Sequence, residues 1–199
     1  MISKHHLELS TIAEIGCGAG EILRQLQTSL PRDIALNGYE ISPQAFALCQ
    51  QRSDSNLNFF FEDLLTIDVK PFDALLCIDV IEHVDDYMGF LRTVRGKGTY
   101  KLLHIPLDMS AQWVLRGRPL VRIRNEVGHL HYFCKETALA TLRDTGYTVI
   151  DWFYTAGALH NPRTVKARLM AIPRRTVSRV SEDLAARTLG GYSLLVLAT

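Results

Sequence analysis

The stretch Thr11-Ile12-Ala13-Glu14-Ile15-Gly16-Cys17-Gly18-Ala19-Gly20 decides how the rest of the chain is read. A short β-like run ends in a glycine-rich loop. The next residues place Ile22, Leu23, Leu26 and Leu30 on one helical face before Pro31 stops the helix. The unit is therefore strand, tight loop, helix. Glycines in the loop let the backbone turn sharply and let a ligand approach the main chain closely. The spacing is GxGxG. A dinucleotide fingerprint would need glycine at position 21, which holds Glu21, and an acid at the helix start opposes a pyrophosphate there. An NAD-dependent oxidoreductase is disfavoured on that ground.

Outward from this unit the same rhythm repeats. Strands are expected at residues 34–39, 57–61, 74–78, 100–105, 148–154 and 192–197, with helical stretches between several of them. Ser42-Pro43 opens one helix, the serine as N-cap and the proline in the first turn. The segment from Leu64 to Pro71 is too short for a full helix. Alternation of this kind implies an α/β fold with a doubly wound, largely parallel sheet, and one domain over residues 1–199. Two insertions break the rhythm. Residues 108–128 carry Trp113, Arg116, Arg118, Arg122 and Arg124, and residues 159–191 form a second basic connection. Both are expected near the carboxyl ends of the strands, as a lid over a substrate pocket.

Composition narrows the class. Of 199 residues 47% are apolar and 22% charged, which excludes a disordered chain. Cys17, Cys49, Cys77 and Cys134 form no CxxC pair and read as reduced, buried thiols of a cytoplasmic protein. No apolar run is long enough to span a bilayer, and neither a polybasic run nor a base-reading motif is present. Membrane and nucleic acid are therefore not expected partners. Charge is unevenly spread: residues 1–110 hold 9 basic and 15 acidic side chains, residues 111–199 hold 13 and 6. The two halves are expected to do different jobs.

Acids stand at successive strand ends. Glu40 follows the second strand, twenty residues after Gly20, where a carboxylate can accept two hydrogen bonds from ribose hydroxyls. Glu62-Asp63-Leu64 follows the third, where a carboxylate can accept from an adenine amino group. With the glycine loop they outline an adenosine pocket without a phosphate site.

On these residues the chain resembles the class I S-adenosylmethionine-dependent methyltransferases of the bacterial small-molecule type, over about residues 9–158. Gly16 to Gly20 match that family's first motif, and Phe72 through Val84 its fourth-strand motif. Gly128-His129-Leu130-His131-Tyr132-Phe133, followed by Thr137 through Tyr147, resembles a later stretch of the family. The resemblance implies S-adenosylmethionine as cofactor and S-adenosylhomocysteine as product. It implies cofactor contacts from Glu14, Gly16, Cys17, Gly18, Gly20, Glu40, Ile41, Asp63, Leu64, Ile78 and Asp79. It also implies the strand order 3-2-1-4-5-7-6, the last strand antiparallel. Relatives usually carry a helical segment before the first strand. Only about ten residues precede it here, so an open cofactor site is expected.

Methyl transfer to a hydroxyl or amine needs a route for the acceptor's proton, and histidine titrates in the right range. His83, His129 and His131 are the candidate catalytic residues. His104, inside the fifth strand, reads as a core histidine. Asp79, Glu82 and His83 are spaced i, i+3, i+4 and would share one face of a helical turn. With His129 they resemble metal-binding constellations of some O-methyltransferases. The expectation, however, is no metal, with Glu82 and His83 held by backbone and neighbouring side chains. Two alternatives stay open: a cofactor-binding module without catalysis, and a metal-assisted O-methyltransferase. The basic insertions suggest a small, anionic acceptor.

Overall fold

The structure, a computed structural model, describes residues 1–157 and 165–199, the side chains of residues 165–168 and 170 excepted. Seven strands form one sheet: β1 (Thr11–Ile15), β2 (Ala35–Tyr39), β3 (Leu57–Phe60), β4 (Phe72–Ile78), β5 (Gly98–Pro106), β6 (Val149–Thr155) and β7 (Ser193–Ala198). Their order is β3-β2-β1-β4-β5-β7-β6. Strands β1 to β5 pair in parallel, whereas β7 runs antiparallel to both of its neighbours, β5 and β6. The order and the reversed last strand agree with the sequence reading.

The helices are α1 (Glu21–Ser29), α2 (Pro43–Cys49), α3 (Tyr87–Arg95), α4 (Ala111–Arg116), α5 (Arg118–Val127), α6 (Lys135–Asp144), α7 (Val165–Val180) and α8 (Glu182–Leu189). Ser42 caps α2 as expected, its hydroxyl accepting from the Ala45 amide. Asp86 caps α3 through the Gly89 amide at 2.8 Å. Between β3 and β4 the chain crosses without a helix.

Strand periodicity divides the core. Ala13, Ile15, Leu75, Cys77, Leu103 and Ile105 point to one face and pack with α3 and α6. Their neighbours Ile12, Ala74, Leu76 and Leu102 point to the other and pack with Leu23 of α1. Burial on both faces explains why the central strands read as continuous apolar runs. The first nine residues lie against the second core through Met1, Ile2, Leu7 and Leu9. Lys4 and His5 bond Asp151 of β6 at 2.6 and 2.8 Å.

A position within β1 breaks the apolar rule. Glu14 of β1 is 2% exposed, and its Oε2 has no partner among the described residues. Burial, and then the nearby Glu40 charge, push its carboxyl up to about 8. The folded chain thus holds a proton that the unfolded chain releases near its ordinary carboxylate value. Stability should fall as pH rises from about 5 to about 8. Glu14→Gln should reduce that fall and be the more stable protein at the upper end. Urea unfolding across this range checks it; an unchanged pH slope would refute the assignment.

Candidate active site

The carboxyl ends of β1, β2 and β4 build one side of the site. Gly16, Gly18 and Gly20 all have positive φ, at 64°, 55° and 75°. A side chain on Gly20 would strike the Phe59 ring at 2.5 Å, so that glycine is set by packing beneath the loop. At Gly18 nothing lies within 4 Å of a would-be side chain, which leaves the space above the loop open. Glu40, 7% exposed, fastens this loop to the next turn. Its Oε2 accepts from the Gly18 amide at 2.8 Å, and its Oε1 from the Ile41 and Ser42 amides at 2.8 and 2.7 Å. Carboxylate oxygens can accept more than one bond each, so capacity for ribose hydroxyls is left.

The remaining cofactor candidates fall around this loop or on the same sheet edge. Cys17 is buried, and Ile41 is 68% exposed. Asp63 is exposed and caps its own turn by accepting from the Leu65 amide at 2.9 Å, while Leu64 is 1% exposed. Ile78 ends β4, and Asp79 follows it at φ 52°. An L-residue there is strained. His104 holds it from two sides: the Asp79 amide donates to the His104 carbonyl at 3.1 Å, and His104 Nδ1 bonds Asp79 Oδ1 at 2.6 Å.

This corrects two sequence expectations. His104 is not a core histidine, since its Nε2 bonds Thr155 Oγ1 at 2.7 Å and the residue lines a cavity of about 410 Å³. Asp79 does not share a helical face with Glu82 and His83. It precedes the 3-10 turn Ile81–His83, and its carboxylate is spent on His104.

The cavity lies between the ends of β5, β6 and β7 and the helices α4 and α5, with Trp113 and Ile123 among its walls. The insertion at 108–128 therefore lines it. Asp108 and His129 face the cavity as a pair that is 10% and 8% exposed at the side chains. His129 Nδ1 bonds Asp108 Oδ2 at 2.7 Å. Burial raises the Asp108 carboxyl, and the His129 bond pulls it back. His83 is partly exposed and donates from Nδ1 to the Gly128 carbonyl at 3.1 Å. His131 spends Nε2 on the Val84 and Asp85 carbonyls at 2.9 and 3.2 Å and lies against Tyr87.

Glu82 departs most from expectation. It is 0% exposed, and neither carboxylate oxygen has a hydrogen-bond partner among the described residues, His83 Nε2 lying 3.9 Å from Oε1. Its backbone carbonyl accepts from the Leu130 and His131 amides at 2.7 and 3.2 Å. Burial drives its carboxyl up to about 8, so near neutrality it is largely protonated. One ligand atom each from Glu82, His83 and His129 lies within 4.8 Å of the others.

Sequence reasoning missed Asp108, His104 as a cavity residue, and Thr155. Asp108 had a usable signal: like Glu40, Asp63 and Asp79, it is an acid just beyond a strand end. His160 and Arg163 of the second insertion lie outside the described residues, as do the side chains of Lys166 and Arg168.

Known proteins with this arrangement point one way. A family model described as a methyltransferase domain matches residues 13–97. The ubiquinone biosynthesis O-methyltransferase of Rickettsia typhi is 25% identical over 93 residues, which span 45% of this chain and 38% of that protein. A cyclopropane synthase from Mycobacterium tuberculosis superposes with a TM-score of 0.69 at 17% identity, covering 100% of this chain and 82% of its own. Magnesium protoporphyrin IX methyltransferase from Synechocystis PCC 6803, with bound SAH, gives 0.64 at 15% identity, covering 99% and 77%. The chain has the fold of these proteins, and its residues 13–97 match a methyltransferase-domain model. Among the described residues no helix is long and apolar enough to cross a membrane.

The Glu40 clamp carries a measurable consequence. Glu40→Ala should weaken S-adenosylhomocysteine binding by about 10- to 100-fold, since a charged hydrogen-bond acceptor is lost and the loop is released. Calorimetry measures it. Unchanged affinity would mean that the cofactor does not sit on this loop.

Proposed function

We propose that this chain transfers a methyl group from S-adenosylmethionine to a small, anionic acceptor in the cavity beside Asp108 and His129. The observation that carries the reading is the Asp108–His129 pair, because it gives the cavity a histidine whose Nδ1 is held by a carboxylate. The cofactor supplies an electrophilic methyl group on a sulfonium. Its fit is supported by the open space above Gly18 and by the buried Glu40 carboxylate under the same loop. The chain's own residues do the rest. Trp113, Ile123 and Leu107 wall the cavity and exclude water. His129 Nε2 takes the acceptor proton, and Asp108 holds the ring and stabilises the charge it gains. His83 and His131, both tied to backbone carbonyls, steady the loops on either side. Anionic character is supported by the basic balance of the second half of the chain. The whole of residues 1–199 works as one domain in this reading, with 108–128 and 159–191 as the lid.

One observation favours a second reading. The orphaned Glu82 carboxylate, His83 and His129 offer one acid and two imidazoles whose Nδ1 atoms are already committed elsewhere. That donor set fits a divalent cation, with Asp108 and Gly128 orienting the histidines. A cation held there would acidify an acceptor hydroxyl.

Label transfer from S-adenosylmethionine to acceptors in a cell extract tests both readings. His129→Asn should lower turnover at least 100-fold and leave S-adenosylhomocysteine affinity unchanged. In the leading reading activity survives dialysis against a chelator. Complete loss restored by magnesium or manganese would move the role to the cation, and absence of any transfer would leave a cofactor-binding module.

A further inference from the structure

Arg174 of α7 is a buried cation without an anion. It is 8% exposed, and its hydrogen bonds run from Nε and Nη2 to the Leu189 carbonyl at 3.2 and 3.0 Å. Gln112 of α4 donates to the same carbonyl. No described carboxylate lies within 4.0 Å of the guanidinium. The sequence from Trp152 to Ser181, which takes in every residue outside the description, contains no Asp or Glu at all. Burial lowers the guanidinium below its ordinary value.

Two hydroxyls around the same Leu189–Tyr192 turn lack hydrogen bonds. Ser110 Oγ and Tyr192 Oη are buried and have no hydrogen-bond partner among the described residues. Ser110 Oγ lies only 2.6 Å from where a side chain on Gly190 would begin, next to the carbonyl that Arg174 holds. Tyr192 is two residues beyond Gly190 and 3% exposed. Gly190 and Gly191, at φ 59° and 83°, bend the chain between them. Gly191 and Tyr192 also line the cavity that Asp108 and His129 face.

All three groups can donate, and a guanidinium can do nothing else. Water would satisfy hydrogen bonds and leave the charge bare, and a neutral ligand would do the same. An oxyanion answers the charge and the three donors together. We infer that Arg174, Ser110 and Tyr192 form an oxyanion subsite on the α7–α8 side of the cavity, which holds the carboxylate or phosphate group of the acceptor. The inference rests on the proposed function for the word acceptor, and on the unpaired groups alone for the oxyanion. It also divides the basic residues. Arg116 and Arg118 stand exposed on α4 and α5 and act from outside, whereas Arg174 makes the contact.

The test uses the full chain, with sodium phosphate and sodium acetate as probes, each titrated at constant ionic strength against chloride. One of them should raise the melting temperature of the wild type beyond chloride, and the better one identifies the group preferred. Arg174→Gln should abolish the shift. Should that variant fail to fold, Tyr192→Phe removes only a hydroxyl and should weaken the probe's binding about tenfold. Phosphate or acetate should also compete with the acceptor in label transfer. Absence of any shift in the wild type, or a shift that both variants retain, overturns the subsite. A shift without competition overturns the acceptor assignment. S-adenosylhomocysteine binding is measured separately by calorimetry. Its failure would sink the methyltransferase reading alone, and its success without an anion effect would sink the subsite alone.

Discussion

A single carboxylate ties the cofactor side of this molecule together. Glu40 accepts three backbone amides, one from the glycine loop after β1 and two from the turn after β2. The loop has positive φ at three glycines, and its Gly16 and Cys17 amides donate to the Tyr39 carbonyl at the end of β2, so its shape depends on what it is fastened to. Charge-assisted bonds to amides are about twice as strong as neutral ones, and burial strengthens them further. The parallel order of β1 and β2 brings the two turns side by side, and the Glu40 carboxylate turns adjacency into a fixed geometry.

The same sheet edge concentrates negative charge to a degree that has to be resolved locally. Glu14 and Glu82 are both fully enclosed and both pushed up to about 8, so each is mainly neutral near pH 7. Asp79 and Asp108 each bond the Nδ1 of a histidine. Two solutions to one problem thus coexist along β1, β4 and β5. Asp79 and Asp108 are hydrogen-bonded to an imidazole, whereas Glu14 and Glu82 have buried carboxylate oxygens without a hydrogen bond among the described residues and hold a proton. His129 links the two groups, since it pairs with Asp108 and lies within 4.8 Å of Glu82.

Much of the fold was legible because its signals are local. Strand ends agree with the sequence reading to within about two residues, since period-two burial and glycine punctuation act over a few positions. The glycine loop and Glu40 were legible for the same reason: each follows a strand, and parallel topology then brings strand ends together. The histidines were not. His104 sits in a strand whose neighbours are buried, so its position along the chain says core. Only the strained turn at Asp79 and the arrival of Thr155 from β6, a long way along the chain, make it a cavity residue. Arg174 was one arginine among many in a basic segment. Nothing in its surroundings marks it until α7 packs against the Leu189–Gly191 turn.

The uneven spread of charge along the chain then has a physical meaning that its total conceals. The first half builds a pocket of carboxylates that accept hydrogen bonds, which suits a ligand rich in donors and cationic at sulfur. The second half contributes Gly191 and Tyr192 to the cavity's other wall, and behind them the buried Arg174, which has no described carboxylate beside it. Acceptors on one side and donors on the other give the two ligands opposite requirements. An anion is repelled from the strand ends of β1 and β2, and a cation from the α7–α8 side. The antiparallel strand β7 makes that separation possible. It carries the chain back beside β5, so the donor-rich Leu189–Tyr192 turn meets the end of β5 and Asp108. A strand added in parallel would have delivered that turn to the far end of the sheet.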